Sequence, residues 1–399
     1  MQERSEEVSP SAVCPEMRAL LYLAGSHRDP GWSSTLAAQL LQDMNWDLLL
    51  KTALNHGVFP LLYRNLKLHA TECASLDVRE KLRRMFLSNA VRNHQLTLEL
   101  LQILELFDAH HIPAMPFKGP ALAASAYGDV ALRQFDDLDL LIHRDDAPRA
   151  RQVLAERGYI SPYGLTRDQE LTVIRYQKHF LLVSRTRHIT TELHWTVEPI
   201  RNCLRFCDEH IWVHPGTVCL EGKTVPALSP EDTLVLLCLH GASHCWERLG
   251  WICDVAEHVA RTPDLDWELV EDRARDLGCS RMLFLGFRLA GELVDARLPE
   301  SVAQTARNYP GADGLAQQVV QRLLFRPNDS SGTWSALRFR LAARESLRDK
   351  VRFTLERFVI PDAGDCQFWR LPANLSFLLF ALRPLRLMTR AFTKDGEGL

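Results

Sequence analysis

The chain has 399 residues, with 47 lysines and arginines against 50 aspartates and glutamates, a formal net charge of −3 and 46% hydrophobic residues. That length accommodates two or three domains, and the composition is that of a folded protein rather than a disordered one. A near-neutral balance excludes the overall basic footprint of a dedicated nucleic-acid binder, leaving a local basic cleft open. Ten cysteines are scattered without a repeated close pair; the nearest neighbours, Cys203 and Cys207, specify no zinc site by spacing alone. Reduced and mostly buried thiols are therefore expected.

The first residues, MQERSEEVSPSAVCPEM, are acidic and polar, unlike a secretory signal. Helical patterning begins at about residue 16 and runs to 110, with shorter stretches at 33–41 and 46–56 and a break at Pro60. Leu96, Leu100, Ile103, Leu104 and Phe107 recur at steps of three and four, which puts one apolar stripe on a long helix. After His111 the character changes. Residues 112–117 are short and apolar with Pro113 and Pro116, which suits a strand near a sheet edge. Lys118-Gly119-Pro120 then opens a small-residue helix ending near Gly128. Residues 135–143 read as a strand, 145–157 as a helix stopped by Gly158, and 179–184 and 188–195 as two strands joined by Arg185-Thr186-Arg187. From Ser229-Pro230 helices resume, with Ser229 as N-cap and Glu231 and Asp232 in the first turn. The last apolar run, 375–382, meets Arg383, Arg386 and Arg390 at once and falls short of the ~20 residues that span a bilayer. The expected fold is thus α+β: a small mixed-sheet core at 111–227, flanked by helical regions at 1–110 and 228–399, in a cytoplasmic protein without a transmembrane segment.

The chemistry concentrates in Phe135-Asp136-Asp137-Leu138-Asp139-Leu140-Leu141-Ile142. Strand side chains alternate, so Asp137 and Asp139 share one face while Leu138, Leu140 and Ile142 point to the core. Two like charges on one face of an apolar strand repel, and a divalent cation removes the penalty. Hard oxygen ligands of this kind suit Mg²⁺ or Mn²⁺. Alone, an Asp-x-Asp is a weak signal and reads more often as a solvated strand end or a turn. Its context adds a Lys-Gly turn upstream, where helix N–H groups could receive a phosphate. Arg133 stands just before the strand, placed for the same anion. A third carboxylate, Glu192, lies on a second strand and shares its face with Thr190 and His194.

These residues resemble the nucleotidyltransferase superfamily of the DNA polymerase β type, and above all its branch of uncharacterised bacterial nucleotidyltransferases. The resemblance rests on Phe117-Lys118-Gly119, Tyr127-Gly128, Arg133, Asp137-Leu138-Asp139-Leu140-Leu141, Lys178-His179 and Glu192-Leu193-His194-Trp195. It extends to Leu239-His240-Gly241-Ala242-Ser243-His244 with Leu249 and Trp251-Ile252-Cys253-Asp254. It implies transfer of a nucleoside monophosphate from an NTP such as ATP to an acceptor, with Asp137, Asp139 and Glu192 as catalytic and metal-binding acids holding Mg²⁺ or Mn²⁺. Lys118, Gly119, Arg133 and His194 are the candidate nucleotide-binding residues. One departure stands out: the superfamily usually has Ser or Gly after the turn glycine, and this chain has Pro120, which offers neither N–H nor hydroxyl. Lys118 or Arg133 would then supply the positive charge. Asp136 should face away from Asp137.

Other residues carry two readings each. His240 and His244, four apart, suit zinc or a helix-face pair packed under the site; no Glu follows His240, so the zinc-protease pattern is absent. His179 and His194 either touch the ligands or hold the strands, and Asp254 supports the helical domain rather than metal. Residues 338–357 suit an exposed helix face more than an RNA groove, and 369–392, where Phe377, Phe380 and Met388 mix with arginines, suit a helix buried against its own domain more than a membrane surface. The acceptor expected first is a small molecule, peptide or protein hydroxyl, as in natural-product tailoring. Nucleotide addition to RNA, as in a toxin acting on tRNA, and a catalytically silent nucleotide-binding module are the alternatives.

Overall fold

A computed structural model describes residues 13–25, 34–196, 211–327 and 332–394. Cys203 and Cys207 lie outside them. All eight described cysteines are free, five of them buried.

Four helices open the chain: α1 (Pro15–Ala24), α2 (Ser34–Leu41), α3 (Trp46–Asn55) and α4 (Phe59–His69). The last begins at the Phe59-Pro60 break, because proline is tolerated in a first helical turn. Then comes α5 (Leu76–Ala109), 34 residues long, with the Ser75 side chain accepting from the Val78 N–H. Its stripe of Leu96, Leu100, Ile103 and Phe107 is buried as the periodicity predicts.

The sheet has the order β1-β2-β5-β4-β3, built from β1 (Ala114–Pro116), β2 (Asp137–Ile142), β3 (Tyr159–Ile160), β4 (His179–Ser184) and β5 (Thr190–His194). Only the β2–β5 pairing is parallel, so the sheet is mixed. β1 is an edge, which is where its prolines do no harm to the ladder. Between the strands lie a four-residue α6 (Gly119–Leu122) continued by a π turn to Tyr127, α7 (Ala147–Glu156) and α8 (Arg167–Tyr176). The last has a full capping box at Thr166 and Gln169 that its sequence, Thr166-x-x-Gln169, spells out. A hairpin of β6 (Gly216–Leu220) and β7 (Lys223–Ala227) turns on Glu221 and Gly222, both at positive φ, and lies beside β1.

Helices α9 (Pro230–Ser243), α10 (Leu249–Arg261), α11 (Trp267–Leu277), α12 (Ser280–Val294), α13 (Glu300–Asn308) and α14 (Ala312–Phe325) follow. Ser229 caps α9 by accepting from the Asp232 N–H, with Pro230 at the first position. The helices before and after the sheet share one core: Met17, Leu20, Leu49 and Leu62 pack in the same cluster as Leu237, Trp246, Ile252, Phe287 and Leu315. A second core lies under the other side of the sheet, with Leu138, Leu140, Leu182 and Leu193 against Leu96, Ile103 and Phe107 of α5. The flanking helical regions, separate in sequence, are therefore joined in space.

The chain closes with α15 (Thr333–Ala343), α16 (Leu347–Val359), α17 (Ala363–Trp369) and α18 (Leu379–Lys394). Two arginines of α18 turn inward: Arg383 and Arg386 pair with Asp362 and Asp365, and Asp365 is fully buried. Leu385 and Met388 are left exposed. No helix among the described residues is long and apolar enough to cross a membrane.

Candidate active site

The sheet's two faces separate the chemistry from the packing. Leu138, Leu140 and Ile142 enter the core beneath, together with Phe180, Leu182 and Leu193 from β4 and β5. Asp137 and Asp139 take the opposite face, where Leu141 joins the helical core. Parallel pairing then puts Asp137 beside Thr190 and Asp139 beside Glu192, so all three acids share one face. Antiparallel pairing of β4 with β5 brings His179 opposite His194, on that same face.

The side chains converge. His194 Nε2 lies 3.2 Å from an Asp139 oxygen and 3.0 Å from a Glu192 oxygen, and His179 Nε2 is 3.9 Å from the same Glu192 oxygen. Lys118 Nζ is 3.4 Å from Asp139. Phe117 meets the His194 ring edge-on at 5.0 Å, which fixes that ring. Lys118 is delivered by the turn after β1, where Gly119 has φ +51° and a Cβ would stand 3.0 Å from the Asp137 carbonyl oxygen. Only glycine meets both demands.

Charge is unevenly compensated among the acids. Burial would raise Asp139, but Lys118 and His194 overcome it and hold the carboxyl well below the usual range. Glu192 is likewise held down against its burial, by His194 and His179. Asp137 is pushed up to about 6 by burial and by the charges of Asp139 and Glu192. His179 is lowered to about 4 by burial and by His194, and so stays neutral. An excess of buried negative charge of this kind is what a divalent cation relieves, and the oxygen donors fit Mg²⁺ or Mn²⁺. Among the described residues, His179, Glu192 and His194 form a group that could hold an ion, with donor atoms all within 4.8 Å of one another.

Two residues named from the sequence stand differently from expectation. The fork of Arg133 closes on Asp254, Nε at 2.8 Å and Nη2 at 3.0 Å, while the Tyr127 hydroxyl donates to Asp254 at 2.7 Å. Despite burial, the Asp254 charge raises the Arg133 pKa. Arg133 thus ties the entry of β2 to α10 rather than reaching outward as a free anion clamp. The Gly119 turn opens only four residues of α-helix, with Pro120 inside it. Asp136 faces away, as expected, and pairs with Arg92 in solvent.

Sequence reasoning missed the brackets that hold this geometry. Asn89 and Asn93, one turn apart on α5, donate to the carbonyls of Val130, Ala131 and Arg133 and fix the loop that leads into β2. An Asn pair at that spacing inside a long helix is the available signal, since asparagine is a poor helix former with a reason to be there. His240 and His244 do pack as a pair, with rings 4.6 Å apart and Trp251 against both. Burial, Lys118 and His244 depress His240, which keeps it neutral beneath the site.

Comparison with known proteins is decisive for the family. The model of the family described as uncharacterised nucleotidyltransferase matches residues 42–295, from just before α3 to the end of α12. The chain belongs to that nucleotidyltransferase family. No curated protein and no solved structure matches it. In this nucleotidyltransferase the sheet, its acids, Lys118 and the helices that carry Asp254 and His240 all fall inside the matched span, and α13 to α18 fall outside it.

Proposed function

We propose that this nucleotidyltransferase moves a nucleoside monophosphate from an NTP such as ATP to a hydroxyl of a small molecule, peptide or protein, with Asp137, Asp139 and Glu192 as the metal-binding, catalytic acids. The observation that carries the reading is the strand register: Asp139 beside Glu192 and Asp137 two residues before, on the sheet face away from the core. Mg²⁺ or Mn²⁺ held by these acids would supply charge neutralisation at the triphosphate and lower the pKa of the attacking hydroxyl. The acceptor oxygen bonds to the α-phosphorus, the bond to the bridging oxygen breaks, pyrophosphate leaves, and the acceptor proton passes to solvent. Transfers of this type rest on positioning and charge stabilisation, so few groups suffice. Lys118, half-buried and aimed at the acids, is the cation for the phosphates. His194 braces Asp139 and Glu192 from within, Gly119 lets the turn approach β2, and Arg133 with Asp254 sets the direction from which β2 enters.

The test is incubation of the purified protein with each α-labelled NTP, Mg²⁺ or Mn²⁺ and cell extract. Label should appear in a non-nucleic-acid product and vanish with Asp137→Asn, Asp139→Asn and Glu192→Gln. Turnover at the parent rate in either Asp variant overturns the assignment.

Nucleotide addition to RNA has one observation in its favour. A cleft of about 330 Å³ at the end of β5 is lined by Arg175, Lys178, Trp195, Arg352 and Arg357 among others. Basic side chains around an aromatic ring suit a phosphate-bearing acceptor. Label found only in RNA selects this reading.

A further inference from the structure

The transfer reading uses the oxygen donors of the site, gives His194 only a bracing role and gives His179 none. His179 and His194 stand opposite each other across the β4–β5 ladder, with rings 5.0 Å apart. Their Nε2 atoms both turn to the same Glu192 oxygen, at 3.9 Å and 3.0 Å. The Nδ1 atom of each ring is buried without a hydrogen-bond partner. Two histidines held only to brace a carboxylate would not need to converge on one oxygen from two strands. Atoms bound around one first-row ion at about 2.0–2.2 Å lie within about 4.4 Å of one another, and this group is already gathered within 4.8 Å. Asp139, 3.2 Å from His194 Nε2, flanks the group on the side of the other acids.

We infer that His179, Glu192 and His194 form a nitrogen-rich binding site for a first-row transition-metal dication, beside the all-oxygen position of Asp137 and Asp139. Imidazole nitrogen favours ions of the cobalt-to-zinc series over Mg²⁺, whereas carboxylates alone suit Mg²⁺ and Mn²⁺. The inference rests on the transfer reading only in sharing Glu192. It makes the site asymmetric, with one position selective for a borderline ion and the other for the ion that accompanies the nucleotide.

Co²⁺ titration of the purified full-length protein, followed by its visible ligand-field bands and by calorimetry, tests this directly. One Co²⁺ should bind per chain at least about a hundredfold tighter than Mg²⁺, and Zn²⁺ should displace it. His179→Gln, at a partly exposed position, should weaken Co²⁺ at least about tenfold and alter the bands, with circular dichroism unchanged. Cu²⁺ bound to the unaltered protein should show ¹⁴N modulation in electron spin-echo spectra, a readout that needs no variant. Asp137→Asn should lose transfer and keep the Co²⁺ spectrum, so failure of the transfer reading and failure of this one are distinct results. Co²⁺ bound no tighter than Mg²⁺, bands indifferent to both His179→Gln and His194→Gln, or no nitrogen coupling would each overturn the inference.

Discussion

Replacing Asp137 by Asn should stabilise the fold at pH 8 when divalent ions are chelated. Its pKa rises from 3.8 to about 6 because burial and the charges of Asp139 and Glu192 all oppose ionisation. A carboxyl whose folded pKa is raised favours folding while protonated, and that contribution is lost as pH climbs through about 6. A shift of about two units corresponds to at most about 3 kcal/mol of strain in the ionised site. Asn removes the charge and keeps the shape. Urea denaturation in EDTA, followed by tryptophan fluorescence, should therefore show Asp137→Asn more stable than the parent by up to about 3 kcal/mol at pH 8, with the gain gone by pH 4. Saturating Mg²⁺ should reverse the order, since the parent then gains binding energy that the variant lacks. A destabilised variant at pH 8 in EDTA, or a difference that ignores pH, would refute the reasoning.

Three further outcomes follow from the packing. Arg133→Met should lose about 3–5 kcal/mol in urea denaturation, because Asp254 is left charged and buried. Arg133→Met combined with Asp254→Leu should recover a large part of that loss, and strictly additive effects would count against the pair. Asp365→Ala leaves the buried Arg383 and Arg386 with only the partly exposed Asp362 as acid, so hydrogen exchange should accelerate in α18 by an amount equivalent to up to about 3 kcal/mol while α9 to α12 stay protected. Gly241→Ala places a Cβ 2.4 Å from the fully buried Trp246 ring and should cost about 1–3 kcal/mol, seen as a lowered melting temperature.

The sheet was legible because its strands alternate cleanly. The alternation of 135–143 put Asp137 and Asp139 on one face, and the structure pairs that face with Glu192. The α5 stripe and the Ser229 cap were equally readable, since both are local patterns. What escaped reading depends on partners far along the chain. Arg133 before a strand looked like an anion clamp, yet Asp254, 121 residues away, takes its fork. β3 is two residues long, too short for periodicity, and α8 hides in a polar stretch whose capping box is its only signature. The segment 369–392 reads first as a packed helix, but the acids that draw Arg383 and Arg386 inward, Asp362 and Asp365, lie before it at the start of α17 and leave no mark in its own pattern. His179 carries two readings in the sequence because a single strand histidine says nothing until register sets it against His194.

The long α5 ties together parts that otherwise meet only across the sheet. Leu82 near its start sits in the helical core, while Leu96 to Phe107 sit under the sheet. Because each helical residue turns the axis by about 100°, one residue inserted between Met85 and Asn93 would rotate one anchor against the other. Asn89 and Asn93 would swing off the loop before β2, so a change far from any acid would misalign the acids themselves. Natural length variation in this family should therefore spare the middle of that helix and collect in the loops on either side.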